Sequence, residues 1–145
     1  SGSVISHVSG QFFQVAADLL PDGGGRTTPS ITQLSLHYTE TNPPLPPFSV
    51  RAVPGDGCVT VNWNYSADES AGGYYVYYGE RPGEYLGRIA AEGSSPVNAG
   101  NTTTFTLNGL KNGTIYYFAV STWSRYDERI NGPLSQEVFA RPKKN

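Results

Sequence analysis

From residue 48 to residue 142, apolar side chains recur at every second position in short runs, with glycines and prolines between most of them. Period-two alternation sends successive side chains to opposite faces of a strand, so each run reads as a half-buried β-strand. The whole chain holds 17 Gly and 11 Pro. They punctuate the chain as the turns of many short strands do. The 3.6-residue period of an amphipathic helix is absent.

Seven strands follow in order. "FSVRAVP" alternates Phe48, Val50 and Ala52, and "CVTVNW" alternates Val59, Val61 and Trp63. "GYYVYYG" alternates Tyr74, Val76 and Tyr78. After the Pro82-Gly83 turn signal, a short strand is expected over residues 85–89. "TTTFTLNGL" alternates Phe105 and Leu107, and "TIYYFAVSTW" alternates Tyr116, Phe118 and Val120. "SQEVFARP" closes the set with Val138 and Ala140. The fold class expected is an all-β, seven-stranded antiparallel immunoglobulin-like sandwich.

Composition narrows the partners. Hydrophobic residues make up 37% and charged residues 15% of the 145 positions, too apolar for a disordered tail. The net charge is −2 and no basic stripe occurs, so nucleic acid is not an expected partner. No apolar run approaches the ~20 residues of a membrane helix, and no signal-peptide pattern is visible. The single cysteine, Cys58, allows no internal disulfide and reads as a small half-buried strand residue.

"NPPLPP" (residues 42–47) divides the chain into residues 1–42 and 43–145. Proline favours an extended backbone, so this piece is a stiff linker or a strand lead-in. The first part holds two candidate strands, "GQFFQVAADL" (residues 10–19) and "SITQLSLHY" (residues 30–38), joined by the Gly-rich "PDGGGRTTP". In the second, Leu34, Leu36 and Tyr38 alternate and Ile31 is out of phase. An isolated hairpin is marginal in water. It therefore docks on the second part, ends a truncated upstream sandwich, or pairs with a second copy as a dimer.

Several blocks of the second part together resemble a fibronectin type III domain in its bacterial form. Trp63 in "VTVNW" matches the family's buried tryptophan, and Tyr74 and Val76 match its next strand. "LNGLKNGTIYYFAV" supplies Leu107, Leu110, Gly113, Thr114, Tyr116, Phe118 and Val120. "GPLSQEVFARP" supplies Pro133, Ser135, Val138 and Pro142. The resemblance implies a core built on Trp63, Tyr74, Val76, Leu110, Tyr116 and Phe118. Tyr116 would form a tyrosine corner, its hydroxyl bonding backbone between Leu110 and Asn112. The first part more weakly resembles the last strands of a jelly-roll-like β-sandwich. The resemblance also implies an extracytoplasmic module of a larger protein, and no Arg-Gly-Asp adhesive tripeptide is present.

Chemistry finds few residues. His7 and His37 are the only histidines, and neither has a partner at ligand spacing, so no metal is expected. Catalytic elbows and phosphate loops are missing, so no catalytic residue and no cofactor are expected. Asp68 and Glu69 share one loop, Asp127 and Glu128 another, and in this fold both lie at one end. A carboxylate pair or calcium site is conceivable there, against solvated charge partly neutralised by Arg125 and Arg129. Arg125, Tyr126, Asp127 and Arg129 make that loop a candidate binding surface beside Asp68 and Glu69. Asn64, Asn101 and Asn112 head Asn-x-Ser/Thr sequons, read as turn and loop residues.

Alternation splits "GGYYVYYG": Tyr74, Val76 and Tyr78 turn inward, Tyr75 and Tyr77 outward. On the neighbouring strand Tyr117, Ala119, Ser121 and Trp123 turn outward. Tyr75, Tyr77, Tyr117 and Trp123 then form a candidate binding face approaching the ~400 Å² at which an exposed apolar patch becomes informative. Three uses compete: cross-strand aromatic pairing, a surface covered by the hairpin or a neighbouring module, and a face for protein or glycan. The expected function is a non-catalytic interaction or spacer module. The alternative is a carbohydrate-associated accessory module of a polysaccharide-degrading enzyme.

Overall fold

The computed structural model describes residues 14–38 and 40–145. The chain divides into two compact units, Ser1–Thr39 and Glu40–Asn145.

The second unit is a sandwich of two antiparallel sheets. Strands β1 (Arg51–Pro54), β2 (Cys58–Asn62) and β5 (Thr104–Asn108) form one sheet in the order β1-β2-β5. Strands β3 (Ala71–Gly79), β4 (Val97–Gly100), β6 (Tyr116–Ser124) and β7 (Asp127–Asn131) form the other in the order β4-β3-β6-β7. Strand β8 (Val138–Ala140) pairs with β6 as well. β7 and β8 meet opposite ends of β6, at Trp123–Ser124 and at residues 116–118, and together close that edge.

Between the sheets lie Val59, Val61, Trp63, Tyr74, Val76, Tyr78, Leu107, Leu110, Tyr116, Phe118 and Val120, all buried. Of the inward set expected from alternation and from the family resemblance, all but Phe48 lie in the core or pack against it. Trp63 packs on Tyr74 with ring centroids 5.5 Å apart at 60°. The tyrosine corner is formed, with Lys111 N–H donating to the Tyr116 hydroxyl at 3.1 Å. Gly113 turns the chain into it at φ 85°, a conformation open to glycine.

Four expectations are corrected. Residues 85–89 form no strand, and the chain pairs with β3 at Val97–Gly100 instead. There Gly87 N–H donates to Tyr78 O, and a side chain at Gly87 would run into the Tyr78 ring, so this piece lies over the ring as a loop. The loop expected to carry Arg125, Tyr126, Asp127 and Arg129 contains strand β7. Phe48 is 56% exposed rather than inward, because Ser49 at φ 53° breaks the alternation before β1. No strand forms among the described residues 14–38, where Leu34, Leu36 and Tyr38 are all exposed. Two isolated strands bury too little apolar surface to offset their ordering. The remainder of the first expected strand, residues 10–13, lies outside the described residues.

Candidate functional site

The register of β3 on β6 organises the outer face of the five-stranded sheet. Gly73 sits opposite Trp123, Tyr75 opposite Ser121, Tyr77 opposite Ala119 and Gly79 opposite Tyr117. Every ring faces a glycine, alanine or serine across the ladder. Large side chains can therefore lie down over small ones instead of standing side by side.

The rings use that room. A Cβ added at Gly72 or Gly73 would run into the Trp123 ring, which occupies the space above both glycines. Ser121 and Ala119 are fully buried although they point away from the core. Tyr75, Tyr77, Tyr117 and Trp123 are each half-buried. Sequence alternation thus brings these four residues to one face, but the face is largely closed on itself.

Polar and aromatic neighbours complete the closure. Asn131 Nδ2 donates to the Tyr77 hydroxyl at 2.7 Å, while Ser121 Oγ donates to Asn131 Oδ1 at 2.6 Å. Trp123 Nε1 donates to Asn98 Oδ1 at 3.3 Å. Tyr77 meets Tyr85 edge-on at 6.1 Å, and Tyr117 meets Phe139 at 6.2 Å. The Tyr85 hydroxyl donates to Glu137 Oε2 at 2.5 Å, and Gly83 N–H donates to the same oxygen at 2.7 Å. Burial, then the bond to Glu137 and its charge, push the Tyr85 phenol well above its ordinary value. Burial also raises Tyr75, with the Glu128 charge and Tyr77 adding to it.

Tyr85, Asn98, Asn131 and Phe139 belong to this face and were not among the residues expected there. The missed signal for Phe139 is plain: Val138 and Ala140 point inward, so Phe139 between them must point outward, where it is 68% exposed. The amides carry no comparable signal, because their roles depend on strand pairing across 25 and 54 residues.

The loop end is brought together as expected, with Arg125 N–H donating to Ser70 O at 2.8 Å. The carboxylates of Asp68 and Asp127 are already occupied. Asp68 Oδ1 accepts from Ser70 N at 2.9 Å and Ser70 Oγ at 2.7 Å, and Oδ2 accepts from Leu45 N at 3.2 Å. These bonds, the Ser70 hydroxyl first, hold Asp68 below its ordinary pKa. Asp127 is gripped by Arg129 Nε at 3.0 Å and Nη2 at 2.7 Å, which holds its carboxyl at about 2. Glu69, Arg125 and Tyr126 are exposed, with the Arg125 guanidinium 5.9 Å from the Tyr126 ring centre. Among the described residues, no three His, Cys, Asp or Glu side chains are grouped to hold a metal. Asn64 and Asn101 are exposed, whereas Asn112 uses its side chain to bridge Gly57 N and Asp56.

Two antiparallel sheets around a tryptophan, with a tyrosine corner on β6, define an immunoglobulin-like β-sandwich module. The chain belongs to the fibronectin type III domain family, whose pattern it matches over residues 42–141. Among curated proteins, Kelch domain-containing protein SSO1033 of Saccharolobus solfataricus is 33% identical over 117 residues. That match covers 80% of this chain and 14% of the relative, so the chain spans about one seventh of its length. Among solved structures, an Fn3-like protein from Clostridium thermocellum is 23% identical with a TM-score of 0.54, covering 72% of this chain and 98% of that one. A β-1,2-glucanase from Parabacteroides distasonis is 17% identical with a TM-score of 0.50, covering 83% of this chain and 14% of that one. These structural likenesses are of fold.

Proposed function

We propose that this chain is a non-catalytic spacer and interaction module of a larger modular protein, holding neighbouring domains in place and meeting protein partners. The observation that carries this reading is the closed outer face. Trp123 lies on Gly72 and Gly73, and Tyr77 is held by Asn131 and Tyr85, so these groups already have partners within the domain. A ring bound in this way stabilises the fold and offers less surface to a ligand. The family resemblance supports placement on a secreted, periplasmic or cell-surface chain.

One observation favours a second reading, a carbohydrate-associated accessory role. Phe139 stays exposed beside Tyr117, and rings at such an edge stack on sugar faces. A domain of the same fold also lies within the glucanase chain. A glycan array read with wild type and with Tyr75→Ala, Tyr77→Ala, Trp123→Ala and Phe139→Ala separates the two. The spacer reading expects no glycan signal from the wild type and lowered thermal stability in Trp123→Ala. Wild-type glycan binding that Phe139→Ala abolishes without loss of stability would replace it with the accessory role.

A further inference from the structure

The proline-rich residues 42–47 are held to the sandwich by their backbone. Prolines at 43, 44, 46 and 47 leave Leu45 as the one amide donor among residues 43–47. That donor is captured by Asp68 Oδ2 at 3.2 Å, and the Leu45 carbonyl accepts from Ser66 Oγ at 2.8 Å. The Leu45 side chain is 54% exposed, so burial of that side chain is not what fixes the residue. Its neighbour Pro44 is fully buried. Gly132 stands against Pro44, where a Cβ would run into the Pro44 carbonyl oxygen.

The holding groups are themselves braced. Ser66 N–H donates to the Tyr74 hydroxyl at 2.8 Å, which ties the clamp to the core. Asp68 is fixed by both bonds from Ser70. Gly132 N–H donates to Thr122 O at 2.9 Å, which pins it to β6. An extended proline segment is stiff along its own length but swivels at its ends. Bonds to both polar groups of Leu45 remove that freedom where the segment meets the sandwich.

We propose that Ser66, Asp68 and Gly132 form a latch that fixes the direction in which the chain enters the fibronectin type III domain. Residues 44–47 then move with the sandwich rather than as a hinge. The latch deepens the spacer role and takes its purpose from that reading, since a spacer transmits orientation only through a stiff entry.

Amide hydrogen exchange on the 145-residue chain tests it, because Leu45 is the single reporter in the proline run. In the wild type, Leu45 exchanges about tenfold or more slower than in an unstructured peptide, as a hydrogen bond to a carboxylate supports. Gly132→Ala, which leaves the Ser66–Ser70 turn untouched, and Asp68→Ala both return Leu45 towards the peptide rate. Ser66→Ala moves it part of the way. Val76 and Val120 keep their protection in all three variants. Leu45 exchanging at the peptide rate in the wild type, or unchanged in both Gly132→Ala and Asp68→Ala, overturns the latch. Glycan binding by a chain whose Leu45 is protected would sink the spacer reading and leave the latch standing.

Discussion

The outward residues of the three-stranded sheet include Thr60, Asn62, Thr104, Thr106 and Asn108, while those of the five-stranded sheet include Tyr75, Tyr77, Tyr117, Trp123, Ala119 and Ser121. Both sets come from the same alternation. On the first face, a hydroxyl pair joins Thr60 and Thr106 at 2.9 Å, while Thr104 and Asn108 are exposed. On the second, rings cover small neighbours until Ala119 and Ser121 are sealed from water. A sheet can therefore build a second, shallow apolar layer on its solvent side when large residues face small ones across the ladder. One outer face contributes packing to the fold, and the other chiefly keeps it solvated.

The strongest way to break this contrast is to remove its largest ring. Trp123→Ala should cost about 2–3 kcal/mol, below the range for a fully buried tryptophan because the residue is half-buried. Urea unfolding at unchanged slope reads the loss. A cost below that of an ordinary surface substitution would mean that the outer layer carries no packing. Gly73→Ala attacks the same contact from beneath. Gly73 is not at positive φ, so backbone strain is not its penalty, and the new methyl collides with the Trp123 ring. Overpacking of this kind costs about 1–3 kcal/mol, and an equal or raised midpoint would contradict the ring's placement.

Most of this arrangement follows from residue patterns. Tyr74, Val76 and Tyr78 were legible as core because β3 alternates buried and half-buried residues from Tyr74 to Tyr78. Tyr116 was legible because the family resemblance and the Gly113 turn agree on its place. The closure of the outer face was not, because it depends on which residue stands opposite each ring, and register is a tertiary fact. β4 has no clear sequence signal for a related reason. "VNAG" offers one β-branched residue and two small ones, and its pairing with β3 spans three partners broken by a bulge. β7 reads "DERIN", a charged run without alternation, and becomes a strand only by meeting the end of β6. Asp68 reads as a binding-loop residue because its loop lies at the same end as residues 125–129, whereas its bond to Leu45 crosses 23 residues and has no sequence signal.

Tyr77→Phe sharpens the contrast at a single atom. It keeps the ring over Ala119 and deletes the hydroxyl that accepts from Asn131. The expected loss is about 0.5–1.5 kcal/mol, since Asn131 Nδ2 is left without that partner on a half-buried face. Thr60→Val is the matched change on the opposite sheet. It removes the hydroxyl pair with Thr106, keeps the branched shape, and should cost no more than about 0.2–1 kcal/mol. Chemical denaturation of both variants side by side decides the matter. A larger loss from Thr60→Val than from Tyr77→Phe would reverse the assignment of the two faces.

The smallest expected effect lies on β7, where charge rather than packing is at work. Arg129 holds the Asp127 carboxyl at about 2, below its ordinary 3.8, through the side-chain bond first and the backbone bond next. A carboxyl whose folded pKa is depressed adds stability above its unfolded pKa and loses it as pH falls through the folded value. For Asp127 the window runs from 3.8 down to about 2. The Arg129 side chain is 80% exposed, so solvent and salt screen the pair and the unfolding midpoint near neutral pH should barely move. Arg129→Ala should instead appear in the titration itself. The Asp127 carboxyl carbon, followed by NMR, should titrate closer to 3.8 once the guanidinium is gone. A midpoint that stays near 2 in Arg129→Ala would assign the depression to backbone donors instead. A large fall in neutral-pH stability would mean that β7 depends on this pair, and that the edge of the aromatic face is held by charge as well as by rings.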